Sequence, residues 1–240
     1  MNKIKFYPLT HQMSLFAPPP IPAEKMLPDW YKEMSVYINN NKNLFSGPEE
    51  NGGGHNQHVT AKKCISIFDT LSSGYYLLSP VDIYFDTTGE NVVYKWRNPT
   101  LDLISIHTKD QMGSYPKSDN YIKESLRWLP SYMIETPPGY SILVTHPHHR
   151  QDLPFYTLPG IVDSDNLLAA GALPFELKKG YQGIIKKGTP IALVMPFKRE
   201  EWSHEIFDEP AERFEKEAQT INSSFLNVYK DNYWERKRFT

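Results

Sequence analysis

Along the middle of the chain, apolar residues alternate with polar ones in short runs whose period is two rather than 3.6. Between residues 64 and 107 the runs are CISIF, YYLL, VDIYFD, NVVYKW and LISIH, separated by SSG, TTGE and RNP. In VDIYF, Val81, Ile83 and Phe85 share one face while Asp82 and Tyr84 take the other, as in a half-buried strand. DTTGEN between two such runs predicts a hairpin in which Gly89 can adopt positive φ. An antiparallel meander follows. SDNYIKESLRW, residues 118–128, breaks the period: Tyr121, Ile122 and Leu126 recur at helical spacing behind Ser118 or Asp119 as caps, which predicts the first helix. Strands resume in SILVTH, GIVD, PFEL, GIIKKG and PIALVMPF. A final helix is expected to start near Asp208, with Pro210 in its first turn. Phe214, Ala218, Ile221, Phe225 and Val228 then form a narrow apolar stripe along it.

The pattern predicts a mainly β protein in three parts. Residues 1–60 form a proline-rich arm and a loop, 61–205 a single β-rich domain with its meander over 61–130, and 206–240 the C-terminal helix and a basic tail. In the arm, Pro18, Pro19, Pro20, Pro22 and Pro28 remove donors and fix φ, so 14–30 cannot form continuous helix or central strand. The arm is expected to lie over its own sheet, anchored by Leu27 and Trp30. Residues 38–58 combine little apolar content with a triple glycine, which reads as a long loop with His55 and His58 facing solvent.

Composition narrows the function. A formal net charge of −2 over 240 residues gives no basis for broad nucleic-acid or membrane-surface binding, and no apolar run approaches a membrane span. The tail ERKRFT reads as a solvated charged end. The single cysteine, Cys64, rules out an intramolecular disulfide and sits among apolar neighbours that predict burial. A soluble protein of a reducing compartment is expected, in host cytoplasm or associated with a virion.

The chemistry concentrates in THPHHRQDLPFYTLPGIVDSD, residues 145–165, which holds three histidines, one arginine and three aspartates. With PPGYSILVTHPHHR before it and GIIKKGTPIALVMPFKR after it, this order resembles the dUTPase and dCTP deaminase group over about a quarter of the chain. The resemblance implies a β-clip fold of antiparallel sheets at 131–205 and a threefold oligomer. It also implies a role for Asp163 in orienting an attacking water. The family's tyrosine is replaced by Asn166, its Arg-Ser-Gly by HHR, and its C-terminal glycine-rich phosphate clamp is missing. The overall layout, from PDWYK through KKCISIFDTLSSGY to KKGTPIALVMPFKREEW, is also similar to uncharacterised proteins of bacteriophages and some bacteria.

In an extended segment His146 and His148 point to one face, so a metal held by His146, His148 and Asp163 is conceivable, as in an iron oxygenase. The reading preferred here is a polar loop in which Arg150 pairs with Asp152 or an external anion, with His148 and His149 as further donors. The candidate binding set is therefore His146, His148, His149, Arg150, Asp163 and Asp165. The expected function is a non-catalytic, oligomeric binding or assembly protein of phage type without a cofactor, its partners a small anionic ligand and further copies of itself, a trimer by the family resemblance. The alternative is a divergent nucleotide hydrolase using Asp163, or the oxygenase.

Overall fold

The computed structural model describes residues 2–37, 60–168, 171–208, 212–223 and 228–240. The loop expected at 38–58, with His55 and His58, lies outside the described residues. Its strands, in chain order, are β1 (Lys5–Pro8), β2 (Ile21–Pro22), β3 (Tyr75–Leu78), β4 (Ile83–Asp86), β5 (Val93–Lys95), β6 (Ile104–His107), β7 (Ser125–Trp128), β8 (Tyr132–Glu135), β9 (Tyr140–Thr145), β10 (Phe155–Thr157), β11 (Gly160–Val162), β12 (Leu173–Leu177), β13 (Gln182–Ile185) and β14 (Pro190–Lys198). The helices are α1 (His11–Phe16), α2 (Asp29–Glu33), α3 (Ile65–Ser72), α4 (Lys109–Met112), α5 (Glu212–Ser223) and α6 (Val228–Asn232). The protein is mainly β and every strand pair is antiparallel. Two compact units are present, one of residues 1–26, 73–200 and 239–240, the other of 27–72 and 201–238.

The first unit holds the sheets. Their strand orders are β1-β8, β10-β12-β7-β6, β11-β9-β14-β3-β2 and β13-β4-β5. β14 is the central strand of the largest sheet and is buried on both faces: Ala192 and Val194 join the main core, while Leu193 packs with Tyr76 and Ala23. That explains why PIALVMPF reads as a continuous apolar run instead of an alternation. Gly74, at φ 86°, lies so close to β14 that a Cβ there would stand 2.5 Å from the Val194 carbonyl oxygen, which excludes any larger residue. The main core is aromatic at its centre. Trp128 stacks on Phe175 with ring centroids 3.8 Å apart and meets Phe85 and Phe155 edge-on. Its indole N–H donates to Thr157 Oγ1, which in turn donates to the Ile191 carbonyl, so the one polar atom of the buried ring is satisfied.

The meander's VDIYF alternation is borne out, with Ile83 and Phe85 buried and Tyr84 half-buried. β4 and β5 pair across the expected hairpin, although Gly89 is not among the positive-φ glycines. Three expectations are corrected. Residues 118–128 form no helix: a turn at Ser118 leads into β7, where Leu126 and Trp128 enter the core and Arg127 points away, so period two prevails. The run CISIF is not a strand, since Ile65 begins α3; Ile65, Phe68 and Leu71 recur at three-residue steps, a helical spacing that shows only once the chain is followed past the end of the run. Cys64 is exposed rather than buried, because it precedes α3 and contributes nothing to its apolar face.

The arm does lie on its own sheet, with Ile21 and Pro22 pairing Tyr76 and Tyr75 of β3. Its prolines follow α1, which is capped by the Thr10 hydroxyl, an acceptor for the Met13 N–H. In the second unit Trp30 is half out in solvent and Tyr31 is the buried anchor instead, under the Lys62 ammonium 4.3 Å above its ring. The basic tail is not wholly solvated, since Lys237 Nζ and the Trp234 indole N–H both donate to Asp69. The C-terminal helix begins at Glu212 in the described residues, with Phe214 exposed; the side chains of Ile221, Phe225 and Val228 lie outside them.

Candidate functional site

β9 runs into a loop, residues 146–154, that returns as β10, and between them lies a cleft of about 440 Å³. The loop contributes His146, His148, His149, Arg150 and Gln151, β10 contributes Phe155 and Tyr156, and Lys178 and Tyr121 close the far side. The described lining carries no carboxylate.

Each loop residue is positioned by a separate bond. His146 Nδ1 accepts from the Thr157 N–H at 3.3 Å, so Nε2 carries the proton and donates to the Arg150 carbonyl at 3.2 Å. Burial pushes its pKa below the ordinary imidazole value, keeping the ring neutral. The ring also packs at 5.0 Å on Tyr156 and edge-on at 5.7 Å to Phe155. His146 is thus a latch that holds the loop on β10. The Thr145 hydroxyl donates to the His146 carbonyl, which leaves its lone pair to accept from His148 Nε2 at 3.3 Å. His149 turns the chain at φ 56°, alone among the described non-glycine residues in the left-handed region. Arg150 makes a two-bond pair with Asp152, Nε to Oδ1 at 2.9 Å and Nη2 to Oδ2 at 2.8 Å. The Asp152 carboxyl is held below its usual range chiefly by that pair. Lys178 Nζ donates to the Gln151 carbonyl at 3.0 Å, tying β12 to the loop.

Asp163 and Asp165 belong elsewhere. Asp163 accepts from the Ser141 hydroxyl at 2.6 Å and stands 3.5 Å from the Arg199 guanidinium. Asp165 receives the Gly139 N–H at 2.8 Å and both Arg199 Nη atoms, which hold its pKa down at about 2. Ser164 between them is buried and shares a hydrogen bond with Thr136. The DSD hairpin is therefore a structural clasp that joins the β11 end, the turn at Gly139 and the end of β14. Ser141 is the second residue of β9 and His146 follows the strand's end, so the five intervening steps separate clasp from loop by about 17 Å. His146, His148 and Asp163 do not converge, and no group of three or more His, Cys, Asp or Glu able to hold a metal occurs among the described residues.

The sequence reading missed Tyr121, Tyr156, Lys178 and Arg199. Tyr121 and Lys178 meet through an isolated bridge between segments far apart in the chain, which no local spacing reveals. Arg199 had a local signal, in that it follows directly on the last strand, as a closing residue would. A second cavity of about 550 Å³ lies by Gln12, Phe16, Asp82 and Arg97, but its carboxylate already accepts from Lys186 Nζ and the Lys187 N–H.

No helix of the described residues is long and apolar enough to cross a membrane. Compared with known proteins, the chain matches no family model and no curated protein.

Proposed function

We propose that the chain is a non-catalytic, self-associating binding protein whose 146–151 loop receives a small anion, on a scaffold of dUTPase type and in a phage or bacterial setting. The observation that carries this reading is the lining of the cleft, where imidazole, guanidinium and ammonium groups meet two tyrosines without a carboxylate among the described lining residues, the Asp152 carboxylate of the same loop being paired with Arg150. A phosphate-sized ligand would draw its donors from His149, Lys178 and the outer edge of the Arg150–Asp152 pair. The clasp supports the non-catalytic half, because Asp163 is occupied by Ser141 and Arg199 at a distance from these donors. Support for the scaffold comes from the largest sheet, where the strands built from SILVT, GIV and PIALVMPFK lie side by side in the order β11-β9-β14.

Self-association is supported by large apolar side chains left in solvent along the second unit. Trp202 is 87% exposed, Ile206 84%, Phe207 73% and Phe214 63%. An apolar strip of this kind is a contact surface in most soluble proteins.

The test is calorimetric titration with inorganic phosphate and pyrophosphate, alongside hydrolysis assays on dUTP and dCTP with magnesium. Binding should weaken about tenfold in Lys178→Ala, as for loss of one charge-assisted hydrogen bond, and stay unchanged in Asp163→Asn. Nucleotide turnover that vanishes in Asp163→Asn would replace this reading with the hydrolase.

A further inference from the structure

The second cavity, of about 550 Å³, belongs wholly to the first unit and is framed by two strand connections laced together. Between the β3–β4 turn and the β13–β14 turn, the Ser79 N–H donates to the Thr189 carbonyl and the Gly188 N–H to the Ser79 carbonyl, both at 2.8 Å. The Lys187 N–H donates across the same gap to Asp82 Oδ1 at 2.8 Å. A further wall is the segment between β5 and β6, where the Leu101 N–H closes a turn on the Asn98 carbonyl at 3.3 Å. α1 supplies the last, with Gln12 and Phe16 four residues apart on one side of it. Backbone bonds thus hold the walls before any ligand arrives, as in most small-molecule sites, and the volume lies within their usual range of roughly 300–1,000 Å³.

The floor is apolar. Leu101 belongs to the main core, and Phe16 and Val81 pack against that core while lining the cavity, so the core reaches the surface here. The polar lining is one-sided. Asp82 is the one carboxylate among the described lining residues, and it is already held by the Lys186 ammonium at 3.1 Å and by the Lys187 N–H. The Asn98 side-chain oxygen accepts from the Thr100 N–H and hydroxyl, which leaves its amide nitrogen to donate. The Arg97 guanidinium and the Lys187 ammonium, both on exposed residues, make no ion pair or hydrogen bond among the described residues.

Two unengaged cations beside an apolar floor select an amphipathic anion. A bare inorganic anion would meet the cations and leave the floor wet, whereas each methylene taken out of water there adds up to roughly fourfold in affinity. An amine would face like charges. A carboxylate has two oxygens in one plane, which match the guanidinium fork, and an ammonium binds the same group as a point charge.

We propose that this cavity takes an aliphatic monocarboxylate of medium chain length, its alkyl chain on Phe16, Val81 and Leu101 and its carboxylate held by Arg97 and Lys187. The site is independent of the anion reading of the 146–151 loop, with which it shares no lining residue.

The experiment is calorimetric titration of the full chain with octanoate, octylammonium, acetate and inorganic phosphate. Octanoate should bind at least about tenfold tighter than acetate, which has only the head, and than octylammonium, which has the chain with the opposite charge. Arg97→Gln with Lys187→Gln should weaken octanoate at least about tenfold, as for loss of charge-assisted hydrogen bonds, with phosphate affinity unchanged. Gln12→Trp, at an exposed position on the rim, should abolish octanoate binding by filling the cavity, again without effect on phosphate. Thermal midpoints equal to that of the unaltered chain would establish that both variants fold. Absence of octanoate binding, octylammonium binding as tight as octanoate, or an octanoate affinity that survives either variant overturns the proposal. Failure of phosphate to bind while octanoate behaves as described would sink the loop reading and leave this site standing.

Discussion

His149 holds the tip of the cleft loop at φ 56°, a conformation that costs an L residue about 1–2 kcal/mol and that glycine adopts without penalty. His149→Gly should therefore leave the fold intact or stabilise it by up to about 1 kcal/mol, while His149→Val should destabilise it by roughly 1–2 kcal/mol because branching at Cβ aggravates the strain. Denaturant titration reads both. If the histidine is kept for its side chain, the glycine variant binds phosphate more weakly in spite of its stability. At Asp165 the charge matters more than the shape. The Arg199 guanidinium holds its carboxyl at about 2, below the ordinary 3.8, so the unfolded chain takes up this proton first as pH falls. The contribution is whole above about pH 4 and lost progressively towards pH 2. Asp165→Asn should lower the thermal midpoint at neutral pH and flatten the acid limb between those values; an unchanged limb would mean that the clasp adds nothing.

At the level of elements, local pattern and tertiary context divide the credit. β4 could be read directly from its clear alternation, and β14 from a β-branched apolar run bounded by Gly188 and Pro190 at one end and by charged residues at the other. α3 and β7 could not. CISIF and the segment 118–128 are short, and their four apolar positions each leave the period open until neighbours decide. For β7 the deciding neighbour is Phe175, whose ring stacks on Trp128 only if Trp128 and Leu126 share a face. Trp128→Ala should consequently cost about 3–5 kcal/mol by loss of buried volume and of its ring contacts, measured by urea unfolding. Trp30→Ala, half exposed in the second unit, should cost far less. The candidate site divides in the same way. His146, His148, His149 and Arg150 are contiguous and were legible, but Lys178 and Tyr121 reach the cleft through strand pairing between distant segments. The grouping of Asp163 with the histidines came from proximity in sequence, and β9 separates them because an extended strand carries its two ends apart.

For the whole molecule, the exposed Trp202, Ile206 and Phe207 bear on the self-association reading, and the proline arm does not, since β2 is already spent on β3. Light scattering at micromolar concentration should give a multiple of 27.8 kDa, a trimer on the family resemblance, that falls to one chain in Trp202→Ser with Phe207→Ser. A single-chain mass for the unaltered protein would end the proposal. The central claim, that the anion site is the 146–151 loop and not the aspartate hairpin, is tested most directly by titrating phosphate into isotope-labelled protein and following backbone amide shifts. The account predicts saturable shifts confined to residues 145–156 and 178, with saturation moved to about tenfold higher phosphate in Lys178→Ala. Shifts centred on Gly139, Asp163 and Arg199, or no saturable shift at all, would contradict it.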